Sequence, residues 1–296
     1  MTKQDLLNQI TEALAGSSPS TIQQFRSIIG KFYDHSNGVF TRSQVVSYIK
    51  KMEKQGYAAG TRAMHFRVLK RGFEIAKKFD LTIDWPFYKR APAELPVSVA
   101  EWDVQAPSIP VAELKTIIDG AKDNKLPPDW AALVAVSSIY GLRRIEMVEL
   151  MPEFLDLKAR TLRIITAKHG RSREHLIPEE IEPYLASYPF GKYSEFKLSG
   201  VYHEIRLGVG LPVVYGTGFH CFRRTLDTAL SYIFPEPVVE EFLRWKKSSM
   251  RMARRYWTPP EGSSEKIIFG LEPFPTFGGE LVYGRHPFLS LWKKKV

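Results

Sequence analysis

Four separated stretches of the sequence concentrate residues able to act on a phosphate ester. They are YGLRRIEMVEL at 140–150, ITAKHGRSREHLIP at 165–178, FHCFRRTLDTAL at 219–230, and RMARRYWTPP, which contains Tyr256. Guanidinium groups bind phosphate oxygens through paired hydrogen bonds. A tyrosine hydroxyl, with an ordinary pKa of about 10, attacks at neutral pH only when cations and a base help it ionise. The four stretches therefore supply the residue types that nucleophilic attack on a phosphodiester requires.

The order and spacing of these stretches resemble the catalytic domain of the tyrosine recombinases, the phage integrase family. The family signature is an arginine three residues before an acid, a hairpin lysine, the pattern HxxR and a terminal tyrosine. The resemblance covers residues 108–260 and implies a site-specific DNA recombinase of a mobile genetic element, which cuts and rejoins double-stranded DNA. It gives a catalytic role to six residues, which are Arg143, Lys168, His220, Arg223, Lys247 and Tyr256.

The chemistry of the reaction explains the two arginines. Attack on a phosphodiester builds negative charge on the nonbridging oxygens, and cations already in place stabilise that charge without reorganising. The resemblance assigns this role to Arg143 and Arg223. Glu146 follows Arg143 by three residues, so a helix there would let the carboxylate support and aim the guanidinium.

The remaining roles concern proton transfer. Tyr256 becomes joined to the 3′ phosphate, His220 is the candidate base, and Lys168 on the hairpin is the candidate acid for the leaving 5′ oxygen. The phosphotyrosyl bond retains the energy of the broken bond. The resemblance therefore implies a reaction that needs no metal, no ATP and no other cofactor.

One position departs from the family pattern, which has a histidine or tryptophan nine residues before the nucleophile. Here 256 − 9 = 247 gives Lys247, and the polar pair Ser248–Ser249 follows it as the pattern expects. A two-residue insertion would instead place Trp245 there. In having lysine at this position the chain resembles some archaeal viral integrases. We therefore expect that the gene comes from a virus or a plasmid.

The charge of the chain also predicts a polyanionic partner. Its 42 Lys+Arg and 32 Asp+Glu give a net charge of +10, which favours nucleic acid. Residues 1–100 hold 15 Lys+Arg and 8 Asp+Glu, so 15 − 8 = +7 lies in a third of the sequence. The arginines beside the catalytic pair and the basic face of the helix at 61–79 are the expected DNA contacts, namely Arg62, Arg67, Lys70, Arg71, Arg144 and Arg224.

Hydrophobic periodicity predicts a mainly α fold with a small antiparallel β-sheet (α+β). Residues 1–95 would form a helical DNA-binding domain, similar to the family's core-binding domain, with a second helix capped by Ser20 or Thr21. The proline-rich residues 96–107 would form a linker, and residues 108–296 the catalytic domain. Within the latter, TLRIIT at 161–166 and EHLIP at 174–178 flank a basic turn and predict a β-hairpin.

Composition narrows the cellular location of the protein and the kinds of site that it can contain. Cys221 is the single cysteine, which excludes an internal disulfide and a multi-cysteine zinc site. The first residues carry acids and lack a long apolar run, so we expect no signal peptide, no membrane segment and a cytoplasmic protein, of the host cell if the gene is viral. Two alternative functions stay open, a type IB topoisomerase and a non-catalytic DNA-binding relative.

The C-terminal tail, residues 262–296, carries a dozen large apolar side chains, and such a number is not expected in water. The resemblance implies self-association into a dimer or tetramer on DNA, with tails passed between neighbours. We therefore expect the tail to contact another protomer, packing on its own domain being the alternative.

Overall fold

The computed structural model describes residues 2–87, 95–97, 107–166, 172–214, 216–245, 262–276 and 279–293. The chain divides into two compact units, Met1–Gln105 and Ala106–Val296. Most of the linker predicted at 96–107 lies outside the described residues. Among the described helices, none is both long and apolar enough to cross a membrane.

The described residues of the first unit form a bundle of four helices, which are α1 (Lys3–Ala13), α2 (Pro19–Ser36), α3 (Arg42–Lys54) and α4 (Ala59–Ala76). Apolar residues at helical spacing meet in one core, where the ring centroids of Phe32 and Phe73 lie 6.0 Å apart. The predicted cap of α2 is wrong. Ser18 is the cap, with its hydroxyl accepting from the Thr21 amide at 3.3 Å, because Pro19 has the fixed φ that suits the first helical position.

The second unit is built around one helix that is buried over most of its length. Its helices are α5 (Val111–Lys122), α6 (Pro128–Tyr140), α7 (Arg144–Val148), α8 (Glu182–Leu185), α9 (Glu195–Gly208), α10 (His220–Ser231), α11 (Glu236–Phe242), α12 (Ser263–Ile268) and α13 (Leu289–Trp292). Every residue of α6 from Ala131 to Tyr140 is buried, and its alanines let neighbouring elements approach closely. This central helix ends at the candidate site.

A three-stranded antiparallel sheet, in the order β1-β2-β3, completes this unit. The predicted hairpin is confirmed as β2 (Thr161–Ile164) and β3 (Arg173–Leu176), in which Leu162 pairs with His175. The two-residue strand β1 (Leu155–Asp156) was not predicted, since two residues carry no periodicity. With the strands β4 (Phe274–Pro275) and β5 (Leu281–Val282), the predicted fold class is confirmed.

The C-terminal tail packs on its own unit, so the expected contact with another protomer is wrong for its main apolar residues. Ile267, Ile268, Phe274, Phe288 and Trp292 are buried in the core of the second unit. The Trp292 indole N–H donates to the Ser138 hydroxyl at 3.1 Å on α6. Burial in this core gives these side chains an apolar environment without a second chain.

Candidate active site

The first predicted arginine lies where α6 ends and α7 begins. Gly141 has φ +57° and ends α6, and a Cβ there would come within 3.4 Å of the Arg223 backbone, so glycine fits both the turn and the close approach. Arg143 precedes α7, and the Glu146 carboxylate accepts from its amide at 2.9 Å and its guanidinium at 2.6 Å. The predicted pairing of Arg143 with Glu146 is thus present.

The second predicted arginine is buried beside the first. Arg223 lies on α10, is 4% exposed, and donates to the Gly141 carbonyl at 2.7 Å and the Leu243 carbonyl at 2.5 Å. These contacts join the ends of α6 and α11 through one guanidinium. Burial, together with the nearby cations of Arg244 and Arg143, lowers the pKa of Arg223 well below its usual value. An anion bound here would relieve that cost.

A third arginine, Arg244, completes the cluster and was missed by the sequence analysis. It is fully buried and donates to the Glu146 carboxylate at 3.1 Å and the Tyr140 carbonyl at 3.2 Å. Burial alone would raise the pKa of Glu146, but Arg244 and Arg143 outweigh it and hold that pKa below its usual value. The only sequence signal for burial is that Arg244 lies between Leu243 and Trp245.

His175 on β3 connects Arg244 to the tail. Its Nε2 lies 3.0 Å from an Arg244 guanidinium nitrogen, and its Nδ1 lies 2.5 Å from the Glu265 carboxylate on α12. The Leu176 amide donates to the same carboxylate at 3.3 Å. Burial lowers the pKa of His175, partly opposed by Glu265. No functional role was predicted from the sequence for His175 or Glu265.

The other predicted catalytic residues are less well defined by the structure. His220 is exposed at the first position of α10, three residues before Arg223. Trp245 packs in part against the core. Lys168, Lys247 and Tyr256 lie outside the described residues. The structure thus brings Arg143, Glu146 and Arg223 together, while the choice between Trp245 and Lys247 stays a prediction.

The predicted DNA contacts differ in how free their charges are. Arg67, Lys70 and Arg71 are exposed on α4, although Arg71 pairs with Glu74 at 2.8 Å. The Arg62 side chain is only 13% exposed and donates to the carbonyls of Pro96, at 2.6 Å, and Tyr57. Its role in the fold is therefore evident, whereas its contact with DNA stays a prediction.

The two predicted contacts in the second unit lie beside the predicted catalytic arginines, Arg143 and Arg223, in sequence. Arg144 is exposed and donates to the Ser199 hydroxyl at 2.6 Å. Arg224 is half-buried on α10. Both DNA contacts stay predictions.

No protein-family model and no curated protein sequence matches the chain. Three solved structures are similar to it in fold. A lambda integrase tetramer bound to a Holliday junction has a TM-score of 0.62 and 14% identity, over 88% of this chain and 78% of that one. XerH site-specific recombinase bound to a palindromic difH substrate has a TM-score of 0.60 and 15% identity, over 82% of this chain and 77% of that one. The Tn1549 transposon integrase with circular intermediate DNA has a TM-score of 0.58 and 14% identity, over 88% of this chain and 97% of that one. The chain therefore has the fold of the tyrosine recombinases.

Proposed function

We propose that the chain is a site-specific DNA recombinase, an integrase that cuts and rejoins DNA through a 3′-phosphotyrosyl intermediate on Tyr256. The observation that carries the proposal is the cluster at the end of α6. Arg143 and Arg223 lie beside the carboxylate of Glu146, together with a third guanidinium. Such a concentration of guanidinium groups suits a phosphate whose negative charge increases in the transition state.

The proposed reaction uses the residues in the order of the chemistry. Arg143 and Arg223 hold the nonbridging oxygens, and Glu146 orients Arg143. His220 helps remove the proton from Tyr256 as its oxygen bonds to phosphorus, and Lys168 protonates the leaving 5′ oxygen. Either Trp245 or Lys247 supplies a further hydrogen bond to the phosphate. A 5′ hydroxyl of another strand then attacks the phosphotyrosine, which reverses these steps and releases Tyr256.

The proposed partner is double-stranded DNA, gripped by both units. The first unit would act as the DNA-binding domain through Arg67, Lys70 and Arg71, and the second would carry Arg144 and Arg224 beside the reacting phosphate. Lambda integrase has been solved as a dimer on a core site as well as a tetramer on a junction. By analogy, two or four copies of this chain would assemble on DNA. The proposed location of this reaction is the cytoplasm.

Covalent trapping tests the proposal without knowledge of the target sequence. Duplexes with a randomised core and a nick are incubated with the protein, and DNA retained by protein after SDS denaturation is sequenced. The nick lets the short cleaved strand diffuse away, so the adduct accumulates. We expect wild type to retain a defined sequence and Tyr256→Phe to retain none, since only the attacking oxygen is removed.

Tyr283→Phe is the matched control, because Tyr283 is a tyrosine of the C-terminal tail that lies after Tyr256 in the chain and is 67% exposed. It should retain DNA as wild type does. An adduct that survives Tyr256→Phe would refute the assignment of the nucleophile. Adducts without sequence preference, with relaxation of supercoiled plasmid, would favour a type IB topoisomerase, and binding without any adduct would favour the non-catalytic alternative.

A further inference from the structure

Three buried charged or polar side chains form a continuous path from the tail to the catalytic arginines. Glu265 on α12 is 5% exposed, and His175 on β3 and Arg244 after α11 are each 0% exposed. The Glu265 carboxylate meets His175 Nδ1 at 2.5 Å, and His175 Nε2 meets the Arg244 guanidinium at 3.0 Å. The second guanidinium nitrogen of Arg244 reaches Glu146 at 3.1 Å. The path therefore ends on the carboxylate that holds Arg143.

The donors and acceptors along this path can be assigned in only one way. A guanidinium has donors and no acceptor, so His175 Nε2 must accept from Arg244 and carries no proton. The proton of the neutral ring is then on Nδ1, facing the Glu265 carboxylate, although the ring N–H is not aligned for a regular hydrogen bond. The second Glu265 oxygen accepts from the Leu176 amide. A proton added at Nε2 would confront Arg244 with a second donor.

Arg244 contacts the support of both phosphate-binding arginines. It shares the Glu146 carboxylate with Arg143, since one Glu146 oxygen accepts from Arg244 at 3.1 Å and from the Arg143 amide at 2.9 Å. It also donates to the Tyr140 carbonyl at 3.2 Å, one residue before the Gly141 carbonyl that accepts from Arg223. Displacing Arg244 would therefore disturb the bonding of Arg143 and Arg223 together.

We propose that Arg244 is a positioning residue for Arg143 and Arg223, held in place by His175 and Glu265. The proposal rests on the proposed function, in which those two arginines bind the scissile phosphate. Arg244 itself contacts protein groups at each of its described bonds. Its effect on the reaction passes through the geometry of the other two guanidinium groups. The tail, through Glu265, thereby becomes part of the support of the active site.

The test compares two substrates that differ only in charge at the reacting phosphate. One is the duplex recovered by covalent trapping, and the other carries a methylphosphonate at the scissile position, which lacks the nonbridging negative charge. A methylphosphonate depends less on well-placed arginines. We expect Arg244→Lys to slow adduct formation by about 100-fold on the phosphodiester and by a much smaller factor on the methylphosphonate, with binding of the duplex unchanged.

Arg206 provides the matched control. It is another buried arginine of the second unit, 2% exposed, paired with Glu113 at 2.8 Å and donating to the Pro212 carbonyl at 2.8 Å. These partners lie outside the path described above. Arg206→Lys should change the rates on both substrates by the same factor. Equal factors for Arg244→Lys would assign Arg244 a structural role only and overturn the inference.

Glu265→Gln keeps the inference testable if Arg244→Lys does not fold. The amide retains the size of the side chain but places a donor against either His175 or the Leu176 amide, so we expect a smaller loss of the same kind, again larger on the phosphodiester. Equal loss on both substrates would again contradict the proposal. If wild type forms no Tyr256-dependent adduct, the proposed function itself fails, whereas parallel losses with a Tyr256-dependent adduct overturn the positioning role alone.

Discussion

The two units of the chain place their charges in opposite ways. In the first unit, no Lys, Arg, Asp or Glu of the described residues is buried, and an ion pair such as Lys3–Asp34, at 2.6 Å, has both side chains well exposed. In the second unit, Glu146 and Arg244 are paired at 3.1 Å with no side-chain exposure. Exposed pairs contribute about 0–1 kcal/mol, whereas burying charge costs several kcal/mol per ion before pairing compensates it.

The two units therefore differ in what their charges can do. A buried cluster of ions gives little net stability compared with an apolar core, and we propose that its value in this unit lies in fixed geometry. The surface charges of the first unit, by contrast, are free to meet a polyanion at adjustable positions. Under the proposed function, the exposed charges of the first unit would attract DNA and the buried cluster of the second would hold one phosphate.

The largest expected effect tests how far the second unit depends on its tail. Trp292 is 1% exposed, and its ring centroid lies 4.8 Å from that of Tyr184. Trp292→Ala should lower the free energy of unfolding of this unit by about 3–5 kcal/mol, as expected for a large aromatic removed from a core. Urea denaturation followed by circular dichroism would measure it.

Tyr283→Ala is the control for the tail, because a side chain 67% exposed should change stability by no more than about 0.5 kcal/mol. The same packing predicts that truncation after Pro260 unfolds the second unit rather than only preventing assembly. A truncated protein whose second unit still unfolds cooperatively, with the same change in circular dichroism as the full-length protein, would contradict the packing of the tail described above.

The next effect concerns the accurately placed charges. Arg143→Lys and Arg223→Lys should each slow covalent adduct formation by about 10²–10³-fold, because an ammonium cannot reproduce the two-pronged contact of a guanidinium. Arg67→Lys on the first unit, where the side chain is exposed, should change the same rate by less than about twofold, since a point charge serves equally well there. Comparable losses at all three positions would remove the distinction between the units.

The local parts of this arrangement could be predicted from the sequence. The i, i+3 spacing of Arg143 and Glu146 and the β-branched residues around the hairpin depend on neighbours a few residues apart. Arg244, by contrast, meets His175 and Glu146 at sequence separations of 69 and 98 residues, and no local pattern marks such a contact. The apolar content of the tail was visible in the sequence, but the elements on which its helices pack, α11 for α12 and α5 for α13, were not.

A third effect follows from a buried histidine of the tail. Burial lowers the pKa of His286 to about 4 from its usual 6.5, and its Nε2 lies 2.9 Å from the Ile139 carbonyl. Below pH 6.5 the unfolded chain takes up a proton that the folded chain resists, so stability present above 6.5 is lost as the pH falls towards 4. The full loss is about 3 kcal/mol.

His286→Gln should therefore flatten the dependence of the unfolding free energy on pH between about 6.5 and 4, measured by urea denaturation at several pH values. His175 and His65 shift in the same direction through burial, so part of the slope should persist. His203→Gln, at a half-buried histidine near the Thr217 carbonyl, is the control. An unchanged slope in His286→Gln would show that this histidine is charged in the folded protein.

The last prediction concerns which basic side chains of the first unit bind DNA and which stabilise its fold. If the exposed charge of Lys70 neutralises one DNA phosphate, Lys70→Ala should reduce the slope of log Kd against log salt by about 0.9, because one fewer counterion is released on binding. Arg62→Ala should leave that slope unchanged while lowering the melting temperature, because its guanidinium is held by the Pro96 and Tyr57 carbonyls. Titrations of the trapped duplex between about 50 and 200 mM salt would measure both. A reduced slope in Arg62→Ala, with none in Lys70→Ala, would mean that Arg62 leaves its backbone partners to bind phosphate, and that exposure alone does not identify the DNA-binding charges of this unit.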